Sequence, residues 1–160
     1  MQASKQMLKL AVALFSGSAM IGAASVAHAD PLEGTWRVKR HGVNCVTGAP
    51  LNTPFNAIMQ FGKGETASGY TVPPGGTPGN SSPELGFWKR EPGPHNYSFK
   101  LLDYGWDDSG TFEGSSTITG KLELQNGDNS FSYTAVVSNY DANGNLLFSF
   151  CGAATGARFE

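Results

Sequence analysis

The sequence has few charged residues and no excess of basic ones, and both shortages limit what the protein can bind. Charged residues make up 15% of the 160 residues, with Lys+Arg 11 against Asp+Glu 13. Without a basic stripe we expect no nucleic-acid partner. Beyond residue 29 there is no run of about 20 apolar residues, so we expect no membrane-spanning helix. No stretch repeats its apolar residues at a helical period, which disfavours a helical bundle.

Motifs that carry catalysis or hold metals are also missing. No Gly-x-Ser-x-Gly segment occurs, and His41 and His95 are far apart without a nucleophile partner or a zinc-ligand spacing. An acidic cluster offers oxygen ligands for Ca²⁺ but lacks the EF-hand spacing, and turns also favour Asp. Its members are Asp103, Asp107, Asp108 and Glu113. We therefore predict no catalytic residue, no metal site and no cofactor.

The first 29 residues have the order of a secretory signal peptide. Lys5 and Lys9 precede a largely apolar stretch, residues 10–26, and Ala27-His28-Ala29 closes it with small residues at the cleavage positions. An N-terminal anchor helix is the alternative, but glycine and serine residues interrupt the stretch. We predict a signal peptide over residues 1–29 and a single exported domain over residues 30–160, periplasmic or secreted.

Only two cysteines are present, Cys45 and Cys151. In an oxidising compartment, two cysteines near opposite ends of one domain favour a structural disulfide. Two buried free thiols or a reactive pair are the alternatives, although no motif marks a reactive thiol. We predict the disulfide.

Apolar and polar residues alternate with a period of two in several segments, as in half-buried β-strands. Residues 55–61 are a short apolar run, and residues 66–72 give a weaker strand signal. A proline- and glycine-rich loop covers residues 73–83, and Asn126-Gly127 is a strong hairpin signal. Short links between successive strands favour an all-β, antiparallel up-and-down eight-stranded β-barrel; a two-sheet sandwich is the alternative. The strand segments are residues 34–43, 55–61, 66–72, 85–90, 96–104, 115–125, 131–138 and 146–159. The last of these is either one long strand or two short strands around Gly152.

Two short elements at the ends of this barrel resemble the calycin superfamily, which includes lipocalins, fatty-acid-binding proteins and avidins. Gly34-Thr35-Trp36 opens the first strand, and Arg158 lies near the end of the last. The resemblance implies that Arg158 packs over Trp36 and plugs one barrel end, by burial and cation–π attraction. The second and third lipocalin motifs have no clear counterpart here.

The span beyond the leader is also similar to a widespread, essentially uncharacterised group of small secreted bacterial proteins. This resemblance implies the barrel and export and supplies no activity. The matching stretches are residues 32–36, 44–48, 86–88, 141–145 and 151–159.

The aromatic residues outnumber those that one plug requires. We predict that five of them line an apolar cup for a small hydrophobic or aromatic ligand, with Ala135 and Gly120 leaving room; the alternative is that they fill the barrel. The five are Trp88, Tyr97, Phe99, Phe131 and Tyr133. The loop over residues 73–83 would form the rim of the cup. We expect a monomer.

Two other functions stay open. The first is a barrel enzyme of the allene-oxide-cyclase or dirigent kind, with Asp103, Tyr97 and Glu113 as candidate residues. The second is a protein-binding barrel similar to a periplasmic protease inhibitor. A ligand-sized apolar cavity favours binding or cyclisation, and a sealed polar interior favours a protein partner.

Overall fold

The computed structural model describes residues 29–71, 75 and 79–159, and the elements in these residues are eight β-strands. The predicted signal peptide lies outside the described residues except for Ala29 and stays a prediction. The strands are β1 Gly34–Val43, β2 Phe55–Gly62, β3 Thr66–Thr71, β4 Glu84–Arg90, β5 Asn96–Trp106, β6 Phe112–Gln125, β7 Ser130–Asp141 and β8 Leu146–Arg158.

Each strand pairs antiparallel with the next, and β8 pairs with β1, so the sheet closes into one barrel. This confirms the predicted up-and-down barrel and excludes the sandwich. The predicted hairpin at Asn126-Gly127 joins β6 to β7, and both residues have positive φ, 52° and 62°, which a tight hairpin turn requires. The closing β1–β8 ladder covers residues 151–158 of β8, whereas residues 146–150 pair with β7 alone.

The strands on one side of the barrel are longer than predicted. β5 continues to Trp106 and β6 begins at Phe112 instead of residue 115, because Gly105 pairs with Gly114 and the ladder continues past them through a bulge. The glycines and turn residues between β5 and β6 indicated that both strands end earlier. Pairing between the two strands overrides that local preference. Strands β5 to β8 have 11 to 14 residues, against 6 and 7 in β3 and β4, so the wall is taller on one side.

The alternating strand directions define two ends. At the closed end lie three short turns, the start of β1 and the finish of β8. At the open end lie residues 44–54, the described part of residues 72–83, and residues 107–111 and 142–145. The described part of residues 72–83 includes Ser81, which forms a bridge to Gly105. The predicted rim loop over residues 73–83 lies partly outside the described residues and stays a prediction.

The predicted disulfide is present and joins the connection between β1 and β2 to the last strand. Cys45 and Cys151 are bonded with their Cα atoms 5.2 Å apart and a sequence separation of 106. The bond therefore ties the seam where β8 closes on β1.

Aromatic side chains fill the half of the barrel next to the closed end. Ring centroids of neighbouring pairs are 5.0 to 6.4 Å apart, mostly in tilted or edge-on arrangements that aromatic quadrupoles prefer. This half is packed solid. Its large buried side chains include Trp36, Phe61, Trp88, Tyr97, Phe99 and Phe131.

Gly120 does not leave the room expected for a ligand, because the ring of Phe99 occupies it. A Cβ at Gly120 would lie 2.4 Å from Phe99 Cζ. We predict that Gly120→Ala lowers the free energy of unfolding by about 1–3 kcal/mol through overpacking, measured by urea unfolding. Gly152→Ala is the matched control, since its Cβ would meet nothing closer than 3.7 Å. Equal losses in the two variants would contradict this packing.

Candidate functional site

Arg158 covers Trp36 at the closed end. Trp36 is fully buried, and its Nε1–H donates to the Leu32 carbonyl at 3.0 Å. The Arg158 guanidinium lies 4.3 Å from the centre of the Trp36 ring, within cation–π range. Its N–H groups also donate, at 2.6 to 3.0 Å, to the backbone carbonyls of Pro31, Glu33 and Asp128. Below we call Trp36 and Arg158 the closed-end plug.

The glycine before this tryptophan has a structural reason. Gly34 has φ 133°, and a Cβ there would lie 2.9 Å from Nη1 of Arg158. A side chain at this position would strain the backbone and displace the guanidinium. The Gly-x-Trp spacing is thus a requirement of the closed-end plug and carries no chemistry of its own.

A second polar group closes the same end. The Tyr97 hydroxyl donates to Asp30 Oδ1 at 2.8 Å and accepts from Arg90 at 3.0 Å, and Arg90 also pairs with Asp30 at 3.4 Å. Burial raises the pKa of Tyr97, so the phenol stays protonated. Tyr97 therefore supports the seal at this end.

The other half of the barrel contains a cavity of about 640 Å³ that opens at the open end. We call it the open-end cavity. The floor of the cavity is a group of polar side chains: Arg40, Glu84, Asp103 and Tyr133. Its walls are mainly apolar and include Phe55, Ile118, Ala135, Val137 and Phe150. The arrangement is an apolar cup with a charged floor.

The floor is built on a buried ion pair that crosses the barrel. Arg40 on β1 and Glu84 on β4 are 6% and 2% exposed, and these strands are not neighbours in the sheet. Arg40 Nη1 donates to Glu84 Oε1, and Nη2 donates to Oε2 at 2.8 Å. Burial disfavours the charge on Arg40, but the hydrogen bond and charge of Glu84 outweigh it and raise the Arg40 pKa. The two hydrogen bonds satisfy Nη1 and Nη2 of Arg40, whereas its buried Nε–H has no hydrogen-bond partner within the described residues.

Tyr133 and Asp103 complete the floor. Burial raises the pKa of Tyr133 to about 12, although the charge of Arg40 opposes this, so the phenol is neutral at physiological pH. Asp103 Oδ1 accepts from the backbone N–H of Ser116 at 3.2 Å. Burial, and then the charge of Glu84, raise the pKa of Asp103. The described residues include no basic side chain in an ion pair with Asp103.

The taller wall carries apolar surface beyond the cavity. Phe148 and Phe150 are 56% and 41% exposed and stack with their ring centroids 6.3 Å apart. Phe150 pairs with Val137 across β7 and β8, and both line the cavity. On the lower side of the mouth, Ser81 lines the cavity. The uncovered aromatic pair extends the cup upward on one side only.

Of the five aromatic residues predicted to bind a ligand, Tyr133 lines the open-end cavity. The other four, Trp88, Tyr97, Phe99 and Phe131, are at most 4% exposed and pack in the solid half. The sequence analysis did not identify Arg40 or Glu84. Arg40 follows Trp36 and Val38 in the same alternation, so the pattern of β1 indicated that its side chain points into the barrel. Glu84 gave no such signal, because it precedes the segment predicted as a strand.

The residues named for an enzyme are not brought together. Asp103 lines the cavity, Tyr97 lies at the closed end, and Glu113 is exposed on β6. Asp107 stabilises its own turn, because its Oδ1 accepts from the backbone N–H groups of Ser109 and Thr111, each at 2.8 Å. Within residues 29–71, 75 and 79–159, no three His, Cys, Asp or Glu side chains are grouped to hold a metal ion.

A second concavity, of about 760 Å³, lies mostly on the outer face of the barrel. It is lined in part by outward-facing polar side chains such as Lys121, Glu123, Ser132 and Thr134. It lacks the enclosing apolar walls of the open-end cavity, which is the better candidate for a ligand site.

Comparison with protein-family models and with curated protein sequences finds no match to this chain. Across the described part of the chain, no helix has the length and apolar character needed to cross a membrane. The function must therefore be inferred from the barrel and its cavity.

Proposed function

We propose that the protein is an exported, lipocalin-like barrel that holds a small hydrophobic or aromatic molecule in the open-end cavity. The observation that carries this proposal is the cavity of about 640 Å³ with apolar walls. Small-molecule sites are concave, mostly apolar and about 300–1,000 Å³ in volume. The predicted leader and the Cys45–Cys151 disulfide support export, since disulfides persist in oxidising compartments.

The hydrophobic effect supplies the affinity in this proposal. Each 100 Å² of apolar ligand surface removed from water contributes about 2.5 kcal/mol, before the entropic cost of association is subtracted. The cup is preformed, because the sheet is closed and its lower half is packed solid. Little ordering of the protein therefore offsets that gain.

A test compares two neighbouring valines on β7. Val137 lines the cavity, whereas Val136 is 47% exposed and does not. We expect an uncharged, environment-sensitive dye to bind the oxidised protein and to bind Val137→Trp at least about tenfold more weakly, because the indole fills the cup. Val136→Trp should bind as the wild type does, measured by fluorescence titration.

Either of two results would contradict the proposal. One is a dye that does not bind the folded wild-type protein. The other is equal binding by all three proteins, which would place the dye on the apolar outer face of the barrel. Circular dichroism of each variant establishes that it is folded before the titration.

One observation supports the enzymatic alternative, and another weighs against it. A partly buried carboxylate with a raised pKa, such as Asp103, is the kind of group that proton-transfer enzymes use. Tyr97 and Glu113, however, lie outside the cavity, so the three named residues do not form one site. Binding is the function that the geometry supports best.

A further inference from the structure

We propose that the open-end cavity selects organic amines, molecules with an apolar or aromatic body and a cationic ammonium group, with Asp103 as the counter-ion. This inference rests on the binding function proposed above and specifies its ligand class.

The charges at the cavity floor leave one carboxylate without a partner. Arg40 and Glu84 neutralise each other through two hydrogen bonds. Of the Asp, Glu, Lys and Arg side chains in the described lining, Arg40 and Glu84 balance each other and Asp103 leaves one negative charge. A cation is the ligand group that balances this charge.

Asp103 itself has unused hydrogen-bonding capacity. Within the described residues, Ser116 is its one hydrogen-bond partner, and a carboxylate has about four acceptor positions. Asp103 loses hydration through partial burial without gaining a counter-ion from the protein. An ammonium group supplies three N–H donors and the missing positive charge.

The aromatic walls of the cavity suit the apolar body of an organic amine. Phe55, Tyr104 and Phe150 line it, and aromatic faces attract cations while also burying an apolar body. The same arrangement disfavours an anionic ligand. The buried Nε–H of Arg40 has no hydrogen-bond partner within the described residues, but Glu84 balances the charge of the guanidinium and Asp103 would repel a ligand carboxylate.

The test uses three probes with the same body and different ends: phenylbutylamine, phenylbutanol and phenylbutanoate. Each displaces the uncharged dye from the wild-type protein in a fluorescence titration near neutral pH. We expect the amine to bind about tenfold to a hundredfold more tightly than the alcohol, since a hydrogen bond to a charged group is worth that much. The carboxylate should bind most weakly.

Asp103→Asn is the decisive variant. It keeps the shape of the side chain and removes its charge, so the amine should lose its advantage while the alcohol binds as before. The raised pKa of Asp103 indicates that the folded protein disfavours its charged form, so we expect this variant to fold. Glu113→Gln is the matched control, because it removes the same charge from an exposed position on β6 and should keep the preference.

The pH dependence gives a second readout. The ionised form of Asp103 binds the amine, so the advantage of the amine should fall as pH decreases through the Asp103 pKa, which lies above its ordinary value. The charged groups that act on Asp103 are Glu84 and Arg40, and His41 also borders the cavity. In Asp103→Asn, the ratio of the amine affinity to the alcohol affinity should not change over the same pH range.

The outcomes separate this inference from the function on which it rests. Dye binding that Val137→Trp weakens, with no preference for the amine, overturns the inference and leaves the binding function in place. A preference that persists in Asp103→Asn also overturns it. Failure of the dye and all three probes to bind overturns both.

Discussion

Trp36→Ala is expected to lower the free energy of unfolding by about 3–5 kcal/mol, the usual cost of emptying a buried aromatic site. Trp36 is fully buried, its ring centroid lies 5.0 Å from that of Phe131, and Arg158 covers its face. Removing the indole leaves a void and takes away the surface on which the guanidinium rests. Urea unfolding followed by circular dichroism measures the loss.

The closed-end plug also predicts how two substitutions combine. Arg158→Ala should cost less than Trp36→Ala, and the loss in the double variant should differ from the sum by about 0.5–3 kcal/mol, because the side chains touch. Trp106→Ala is the control, since Trp106 is only partly buried at the open end. Strict additivity, or an equally large loss for Trp106→Ala, would contradict the plug.

Replacement of both Cys45 and Cys151 by serine is expected to lower the free energy of unfolding by up to about 4–5 kcal/mol. The disulfide closes a loop with a sequence separation of 106 residues, and the chain-entropy model assigns about that value to a loop of this length. The gain comes from restricting the unfolded chain, so the native spectrum should change little. Urea midpoints of the oxidised wild type and the double variant give the difference.

Thiol chemistry provides the companion measurement. The oxidised protein should contain no thiol that reacts with an alkylating reagent under denaturing conditions without reductant. Reduced wild type should then unfold at the same urea concentration as the double serine variant. Alkylation of both cysteines without reductant would show that the bond is absent from the purified protein.

Much of the barrel follows from local patterns in the sequence. In β7, Phe131, Tyr133 and Ala135 alternate with polar residues, and the structure places all three on the buried face. The Asn126-Gly127 pair predicted the hairpin because few other residues adopt its backbone angles. The beginning of β6 was wrong by three residues, because pairing with β5 and β7 extends the strand through Gly114.

The cavity was harder to predict, since alternation gives the face of a residue but not its depth in the barrel. Phe99 and Tyr133 both point inward, yet Phe99 is packed beneath the floor and Tyr133 forms part of it. The floor itself depends on closure. Arg40 and Glu84 are 44 residues apart in sequence and meet only because the sheet curves until β1 and β4 face each other.

The finish of the last strand lies beside the start of the first, where the Phe159 N–H donates to the Thr35 carbonyl at 2.9 Å. Both chain ends of the barrel therefore leave from the sealed side, opposite to the mouth of the cup. Anchoring either end to a sensor chip, a cell envelope or a fused domain would hold the barrel upright with its mouth facing the solution. A captured molecule could then enter and leave without passing the attachment.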